Sequence, residues 1–340
     1  MILNRIELKE KLNILGKAYS NKTAMPCLQF VKFDNDTLTM SNGSVIIISK
    51  YESGLQALIP FKQLNDICNK LTGDELELNV VDNQAVIKCG RSRYALNIGD
   101  FNDYPNYSVL SDGEQIKINS NAFKTCISKI NFACGKNEKR PILTGINFGE
   151  FAVSTDSFKL ARYDADFGLN CTIASSDISN LISILNTDEV LVRNNKHTAT
   201  FEFGDTIYQT RLLDGNYPDT RRLIADDFAI RCKINRLDLI NAIDRASIFS
   251  NEEYNTIKLS IGVDSLQINS ASNQVGNAVE TIECNSNGEI KLACNCEYLK
   301  ESLSKFNGDE ITLLINGDLK PFVIKENELT ALILPVKMGE

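Results

Sequence analysis

Three copies of one pattern run through the 340 residues of this chain. In each copy, the end of a helix-like segment is followed by a polar turn, an Asp-Glu pair and a strand-like segment. The pairs are Asp74-Glu75, Asp188-Glu189 and Asp309-Glu310, which lie 114 and 121 residues apart. This period is one third of the chain and far exceeds the unit of a solenoid. The sequence therefore predicts tandem duplication of a whole domain.

A second marker supports the same period. Tyr104-Pro105 in "DFNDYPNY" recurs 113 residues later as Tyr217-Pro218 in "LDGNYPDT". Because proline lacks the N–H that strand pairing uses, both segments are natural linkers between domains. We therefore expect three similar domains, at residues 1–113, 114–226 and 227–340.

Each third reads as two β-α-β-β units in a row. Apolar residues recur at helical spacing in the first helix of each third, as in Leu12 and Leu15, Phe123 and Ile127, and Leu239 and Ile243. Six helices among many short strands predict the α+β fold class.

The charge of the chain is negative and uneven. The formal net charge is −8, and the thirds carry −1, −1 and −6. At face value this balance argues against a protein that simply coats nucleic acid. A near-neutral first third and an acidic last third suit a head-to-tail contact, although a solvated acidic surface explains the same numbers.

Cysteine and histidine usage argues against a metal site. The ten cysteines are scattered without a C-x-x-C pair, and His197 is the only histidine. We expect buried, reduced thiols in a cytosolic protein, with no metal or other cofactor. The longest apolar run is about five residues and the N-terminus is charged, so neither a membrane helix nor a secretory signal is expected.

Catalytic patterns are weak. His197 lies in "RNNKHTATF", which is typical of a surface hairpin. Neither a phosphate-binding loop nor a dinucleotide fingerprint occurs. Ser157 and Lys159 are close enough in sequence for a nucleophile pair, but the stretch also reads as a polar β-turn. The chain is not expected to be an enzyme.

Six motifs together resemble one known family. They are "RPILTGINF" (140–148), "STDSFKLARYD" (154–164), "RLLDGNYPDTRRLI" (211–224), "DRASIFSNEEYNTIKLSI" (244–261), "FNGDEITLLINGDLKPFVI" (306–324) and "LILPVKM" (332–338). In this order they resemble the bacterial DNA polymerase III beta subunit, the sliding clamp, over essentially the whole chain.

The resemblance implies the DNA clamp fold, with three tandem similar domains per chain and two chains joined head to tail into a ring. Such a ring encircles duplex DNA independently of sequence and acts as a processivity factor without a catalytic site. The implied partners are a second copy of the chain, duplex DNA, the DNA polymerase III catalytic subunit, a clamp loader, and repair polymerases and mismatch-repair proteins that carry short peptide motifs. The implied location is cytoplasmic, with the nucleoid.

Basic side chains near the helices are the candidate DNA contacts. By resemblance, the residues that follow the first helix of a domain contact the backbone, and the helices line the hole. The DNA-binding candidates are Lys22, Lys62, Asn137, Lys139 and Arg140. Further basic residues on or beside helices include Lys11, Lys129, Arg245 and Lys300. Ser175 and Ser176 stand where many clamps have basic residues, which predicts a weaker grip there.

A peptide pocket between the second and third domains is also implied, for partners with glutamine and leucine or phenylalanine anchors. Carried over by motif, its residues are Leu143, Thr155, Ser157, Phe158, Lys159, Leu160, Pro218, Arg222, Leu223, Pro321, Leu332, Leu334, Pro335, Val336 and Met338. Apolar residues beside a linker favour such a groove independently. Phe158-Lys159 replaces the usual His-Arg, and Gly339-Glu340 extends the usual end, so we expect an altered polar rim.

The ring contact is predicted in "GRSRYALN" (90–97) and "RASIFS" (245–250). Tyr94 and Leu96 of one protomer are expected to pack on Ile248 and Phe249 of the other. One alternative to the clamp is a related module that sequesters replication proteins without encircling DNA, and a Ser157–Lys159 enzyme is another.

Overall fold

The computed structural model describes residues 1–136, 139–250, 255–272 and 276–337. It consists of two compact units. One comprises Met1–Phe123 and Ser176–Leu212, and the other comprises Lys124–Ser175 and Leu213–Glu340.

The described residues form six α-helices and many short strands. The helices are α1 (Arg5–Leu15), α2 (Phe61–Lys70), α3 (Ser120–Ile130), α4 (Ser175–Ile184), α5 (Arg236–Ser247) and α6 (Cys296–Leu303). The strands of the first third are β1 (Ile2–Asn4), β2 (Phe30–Ser41), β3 (Val45–Pro60), β4 (Glu75–Val81), β5 (Gln84–Cys89) and β6 (Ser92–Asn97). Those of the second are β7 (Ile116–Asn119), β8 (Gly145–Phe148), β9 (Ala152–Thr155), β10 (Lys159–Tyr163), β11 (Cys171–Ala174), β12 (Glu189–Asn194), β13 (Thr198–Phe203) and β14 (Thr206–Arg211). Those of the third are β15 (Ile230–Asn235), β16 (Thr256–Ile261), β17 (Ser265–Ser272), β18 (Gly276–Glu283), β19 (Asn285–Ser286), β20 (Ile290–Asn295), β21 (Glu310–Ile315), β22 (Phe322–Glu326) and β23 (Leu329–Ile333).

The repeated Asp-Glu pair has a structural cause. In each third, the aspartate carbonyl accepts a hydrogen bond from the first residue of the first helix. The three bonds run from Arg5 to Asp74 (2.8 Å), from Ser120 to Asp188 (2.9 Å) and from Arg236 to Asp309 (2.7 Å). The residue before each helix is an asparagine whose side-chain oxygen accepts from an N–H of the first turn, at Asn4, Asn119 and Asn235. An asparagine cap satisfies an N–H that the helix itself leaves unpaired. The α+β class and the repeated order of elements are therefore confirmed.

The unit that contains the N-terminus has two antiparallel sheets. One has the order β1-β4-β5-β6 and the other the order β2-β3-β14-β13-β12-β7. In the second sheet, β3 pairs with β14 from Val45 opposite Thr210 to Ser49 opposite Thr206. A strand from the first third of the chain is thus hydrogen-bonded to a strand from the second.

The other unit also has two antiparallel sheets. One has nine strands in the order β11-β8-β9-β10-β23-β22-β21-β15-β19, and the other has the order β18-β17-β16-β20. Here β10 pairs with β23, from Lys159 opposite Ile333 to Tyr163 opposite Leu329. Sheets therefore continue across both predicted linkers, and the middle third of the chain contributes to both units. The domain boundaries at 113 and 226 stay a prediction.

Apolar faces of the helices supply the core, as their spacing predicts. On α3, Phe123, Cys126, Ile127 and Ile130 are fully buried. Burial of such side chains contributes about 1.5–3 kcal/mol each relative to leaving them exposed. Ala242 of α5 is equally buried, because it lies three residues from Leu239 on the same face.

Gly145 allows a close approach between two strands of the nine-stranded sheet. A Cβ atom on Gly145 of β8 would lie 2.4 Å from the carbonyl oxygen of Ile173 on β11. Real Cβ atoms do not approach backbone oxygen so closely, so any side chain here moves one strand off the other.

We therefore expect Gly145→Ala to lower the free energy of unfolding by about 1–3 kcal/mol through overpacking. Urea denaturation measures the change. Gly149→Ala is the matched control, since a Cβ there meets nothing within 4 Å. Equal stability of the two variants would contradict the close approach of β8 and β11.

Candidate functional site

One face of the nine-stranded sheet collects apolar residues from consecutive thirds of the chain. Leu160 on β10 lies opposite Leu332 on β23, and Leu332 lies opposite Val323 on β22. Side chains directly opposite one another share a face, and these three form a buried cluster with Val153 and Leu314.

The segment after β14 packs on this cluster. Tyr217, Ile224 and Phe228 are partly buried against it, as is Phe151. The sequence pattern singled out Pro218 and missed Tyr217 as a packing residue. The recurrence of tyrosine before proline, at positions 104 and 217, was the available signal.

The turn between β9 and β10 is held by its own side chains. Thr155 Oγ1 donates to the carbonyl of Lys159 (2.7 Å), and Asp156 Oδ1 accepts from the N–H groups of Phe158 and Lys159 (both 2.8 Å). Ser157 has a φ of +82°, a conformation that favours glycine or asparagine. The turn leaves the Phe158 side chain 58% exposed.

Lys159 lies in the interior of the protein and not at an exposed polar rim. The residue is buried, and its ammonium pairs with the Glu301 carboxylate on α6. The Nζ atom also lies 4.6 Å from the ring centre of Tyr298 and 5.6 Å from that of Phe132. Burial of an ammonium group requires a paired charge, and Glu301 provides it. The expectation that the Phe158-Lys159 pair alters the polar rim stays a prediction. The rim at this turn is aromatic.

The C-terminal segment runs beside the turn. The N–H of Leu334 donates to the carbonyl of Phe158 (2.9 Å), and the N–H of Val336 donates to the carbonyl of Ala293 (2.7 Å). Leu334 is 39% and Val336 36% exposed, and Pro335 between them is half-buried. Met338, Gly339 and Glu340 lie outside the described residues.

The remaining pocket candidates divide by burial. Pro218, Arg222 and Leu223 are exposed, and Pro321 is half-buried. Leu143 is buried in a short 3₁₀ helix, Pro141–Thr144. The exposed apolar members of the set therefore include Phe158, Leu223, Leu334 and Val336, whereas Leu160 and Leu332 are buried.

The predicted contact residues between protomers lie on one outer strand and directly after a helix. β6 is the last strand of its sheet, with Tyr94 37% exposed and Leu96 half-buried. After α5, Ile248 is 68% exposed and Phe249 is half-buried. Phe249 lies beside the start of β18, since a Cβ on Gly276 would lie 3.9 Å from its ring.

The DNA-binding candidates are accessible where they are described. Lys22, Lys62, Lys139 and Arg140 are exposed, and Asn137 lies outside the described residues. Arg140 donates from Nη1 to Ser157 Oγ (3.0 Å), which connects this basic stretch to the turn between β9 and β10.

Several basic residues of the wider set are occupied within the protein. Lys11 is buried and pairs with Asp205. Lys129 Nζ donates to the carbonyl of Lys305 and to Asn307 Oδ1. Fewer basic side chains therefore present exposed positive charge than the sequence suggested. The pairs of the last third, Arg245 with Glu280 (2.6 Å) and Lys300 with Asp244 (3.2 Å), reduce it further.

The candidate catalytic pair is not assembled. Ser157 Oγ accepts from Arg140, whereas the Lys159 ammonium is paired with Glu301. Across residues 1–136, 139–250, 255–272 and 276–337, no three His, Cys, Asp or Glu side chains are grouped as metal ligands. All ten cysteines are free thiols, and burial raises the pKa of Cys126, Cys134 and Cys171 to about 12. No helix in the described part of the chain is long and apolar enough to span a membrane.

Comparison with known proteins decides the family. The DNA polymerase III beta subunit models match in three parts, the N-terminal domain at residues 1–108, the central domain at 117–219 and the C-terminal domain at 221–337. The chain belongs to the DNA polymerase III beta subunit family.

Individual relatives agree with this assignment. The beta sliding clamp of Staphylococcus epidermidis is 30% identical, with 96% of each chain covered. Among solved structures, the DNA polymerase sliding clamp of Bacillus subtilis has a TM-score of 0.91 at 27% identity, with 99% of each chain covered. The beta chain of Streptococcus pneumoniae DNA polymerase III has a TM-score of 0.92 at 25% identity. The resemblance inferred from the six motifs is thus confirmed, as are the clamp fold and the function of the family, that of a DNA sliding clamp.

The pairing of Lys159 with Glu301 generates a prediction. We expect Glu301→Gln to lower the free energy of unfolding by about 1–3 kcal/mol, because the buried ammonium loses its charged partner. Urea denaturation measures this change. Glu297→Gln on the same helix is the control, since Glu297 pairs with the part-exposed Lys300 and such surface pairs contribute about 0.3–0.5 kcal/mol. Equal losses would contradict the assigned role of Glu301.

Proposed function

We propose that two copies of this chain form a head-to-tail ring that encircles duplex DNA and tethers the DNA polymerase III catalytic subunit. The domains would be residues 1–113, 114–226 and 227–340. The observation that carries the proposal is the pair of open sheet edges, β6 and β18, in the first and last thirds of a chain built from three repeats. A head-to-tail contact between repeated domains generates a closed ring when the rotation from one subunit to the next brings the last subunit back to the first.

Side-chain character supports a β6–β18 contact. On β5, Ala85 and Ile87 are fully buried and lie opposite Leu96 and Tyr94 of β6. The apolar inner face of this sheet therefore continues onto its edge strand. An exposed sheet edge with an apolar face is otherwise a site of unwanted pairing.

Charge supports the same contact. Arg91 and Arg93 precede Tyr94 at the first edge. Glu283 lies on β18, as does Glu280, which pairs with Arg245. Opposite charges steer two surfaces together and fix their register.

The two apolar side chains at this contact can be tested together. We expect Tyr94→Ala with Phe249→Ala to give monomers, because the contact loses two aromatic anchors. Gel filtration measures the change in size. Val81→Ala with Val263→Ala is the control, since both valines are exposed outside the proposed contact. A dimer that persists in the first variant would refute the assigned interface.

The proposed DNA contacts are compatible with the net negative charge of the chain. A closed ring is retained topologically, so weak phosphate contacts from Lys22, Lys62, Asn137, Lys139 and Arg140 would suffice. Contacts of this kind carry no sequence information and weaken with salt. The ring would act on the nucleoid in the cytoplasm.

Loading onto circular DNA tests the proposed function. We expect the protein, loaded by a clamp loader with ATP onto nicked circular DNA, to stay bound in high salt and to leave when the circle is cut. Gel filtration of the DNA complexes measures retention. Salt-sensitive binding that is the same on circular and linear DNA would contradict encirclement.

The sequestering module remains the second candidate, and one observation favours it. Ser175 Oγ donates to Asn131 Oδ1 (2.7 Å) and Ser176 Oγ to Asp177 Oδ1 (3.0 Å). Neither hydroxyl supplies the positive charge that a DNA-lining position would use. Failure to load onto circles together with intact peptide binding would support this module.

The groove above Leu160 and Leu332 is the proposed partner site. It would take the short peptide motifs of the polymerase, the clamp loader, repair polymerases and mismatch-repair proteins, with no catalysis of its own. Its exposed apolar residues, beside the linker and the C-terminal segment, suit two buried anchors.

The aromatic rim gives a prediction for this site. We expect Phe158→Ala to weaken binding of a leucine- and phenylalanine-anchored peptide about tenfold, since an exposed aromatic anchor is lost. Fluorescence anisotropy measures the affinity. Thermal stability should hardly change, and Val263→Ala, at another exposed apolar position, should bind normally. Unchanged affinity of the Phe158 variant would remove this residue from the site.

A further inference from the structure

The turn between β9 and β10, at the proposed partner groove, has a structural copy in the first third of the chain. In Ser41–Val45, as in Thr155–Lys159, the first hydroxyl donates to the carbonyl of the fifth residue (2.9 Å from Ser41 to Val45). In both turns, the side-chain oxygen of the second residue accepts from the fourth and fifth N–H groups. The third residue has a positive φ in both, +94° at Gly43 and +82° at Ser157.

The copy extends to the neighbouring strand. The N–H of Arg211 donates to the carbonyl of Ser44 (3.0 Å), as that of Leu334 does to Phe158. Gln209 lies opposite Ile46, as Leu332 lies opposite Leu160. Gln209 and Arg211 therefore occupy the positions that Leu332 and Leu334 hold in the groove.

A cleft is present at the copied position. It has a volume of about 550 Å³. Its walls include Ser44, the linker residues 106–112, and Gln209 to Arg211. The turn and strand register of this cleft thus match those of the proposed partner groove. The side chains on the neighbouring strand differ, since Gln209 and Arg211 replace leucines.

Gln209 binds the linker across this cleft. The residue is 7% exposed. Its Oε1 accepts from the N–H of Leu110 (2.8 Å) and from Thr200 Oγ1 (2.9 Å), and its Nε2 donates to the carbonyl of Ser108 (3.2 Å). At the equivalent position, Leu332 belongs to an apolar cluster instead.

We propose that Gln209 and Arg211 exclude apolar-anchored partner peptides from the first cleft. A leucine or phenylalanine anchor gains free energy by burial on an apolar floor. In the first cleft it would meet an amide and a guanidinium. Displacing the linker would also break the hydrogen bonds of the buried Gln209 amide to Leu110 and Ser108. The inference rests on the proposed partner site and concerns its specificity.

Peptide stoichiometry tests the proposal. The probe is a fluorescein-labelled peptide with glutamine, leucine and phenylalanine anchors, titrated at concentrations far above its dissociation constant. We expect one peptide per protomer for the unmodified chain and a second for Gln209→Leu with Arg211→Leu. Gln267→Leu with Arg231→Leu is the control, because it makes the same exchange at exposed positions of the last third and should bind one.

Hydrogen exchange provides a second readout that does not need the peptide. Gln209→Met keeps the side-chain length but loses the amide, so the Leu110 N–H should exchange about tenfold faster. Two peptides on the unmodified chain, or one on the Gln209→Leu, Arg211→Leu variant, would overturn the proposal. Unchanged exchange at Leu110 would overturn the role of Gln209. Absence of peptide binding in every variant would instead overturn the partner site and the restriction with it.

Discussion

Main-chain pairing between strands of consecutive repeats is the interaction on which the rest of the structure depends. The pairing of β10 with β23 aligns Leu160 with Leu332 and so creates the apolar floor of the proposed groove. It also places the C-terminal segment beside the turn at Phe158. A one-residue slip of β23 along β10 would turn Leu332 to the opposite face, away from Leu160.

The same pairing explains why the units of the structure do not follow the repeats. A domain that shares a sheet with its neighbour has no separate edge at that boundary, so the middle third is divided between two units. Strands β6 and β18 are two of the outer strands of the sheets, one in the first repeat and one in the last. In the proposed ring, β6 of one protomer would pair with β18 of the other. Neither strand would then be an outer strand.

The sequence was most informative where a residue type has one structural role. The Asp-Glu pairs mark a hydrogen bond that recurs in all three repeats, and helical spacing predicted the buried face of α3. The sequence was less informative where the same type of side chain can lie either at the surface or in the interior. Lys159 reads as a rim residue by motif, yet Glu301, 142 residues away, holds it in the interior. No local pattern contains that partner. The equivalence of Gln209 with Leu332 likewise appears only from strand register.

The central claim is that the two open edges close a ring of two chains. Absolute mass by multi-angle light scattering, followed through a dilution series of the unmodified protein, tests it most directly. We expect a stable species at twice the chain mass of 37.9 kDa. A species of 37.9 kDa at every concentration would contradict it.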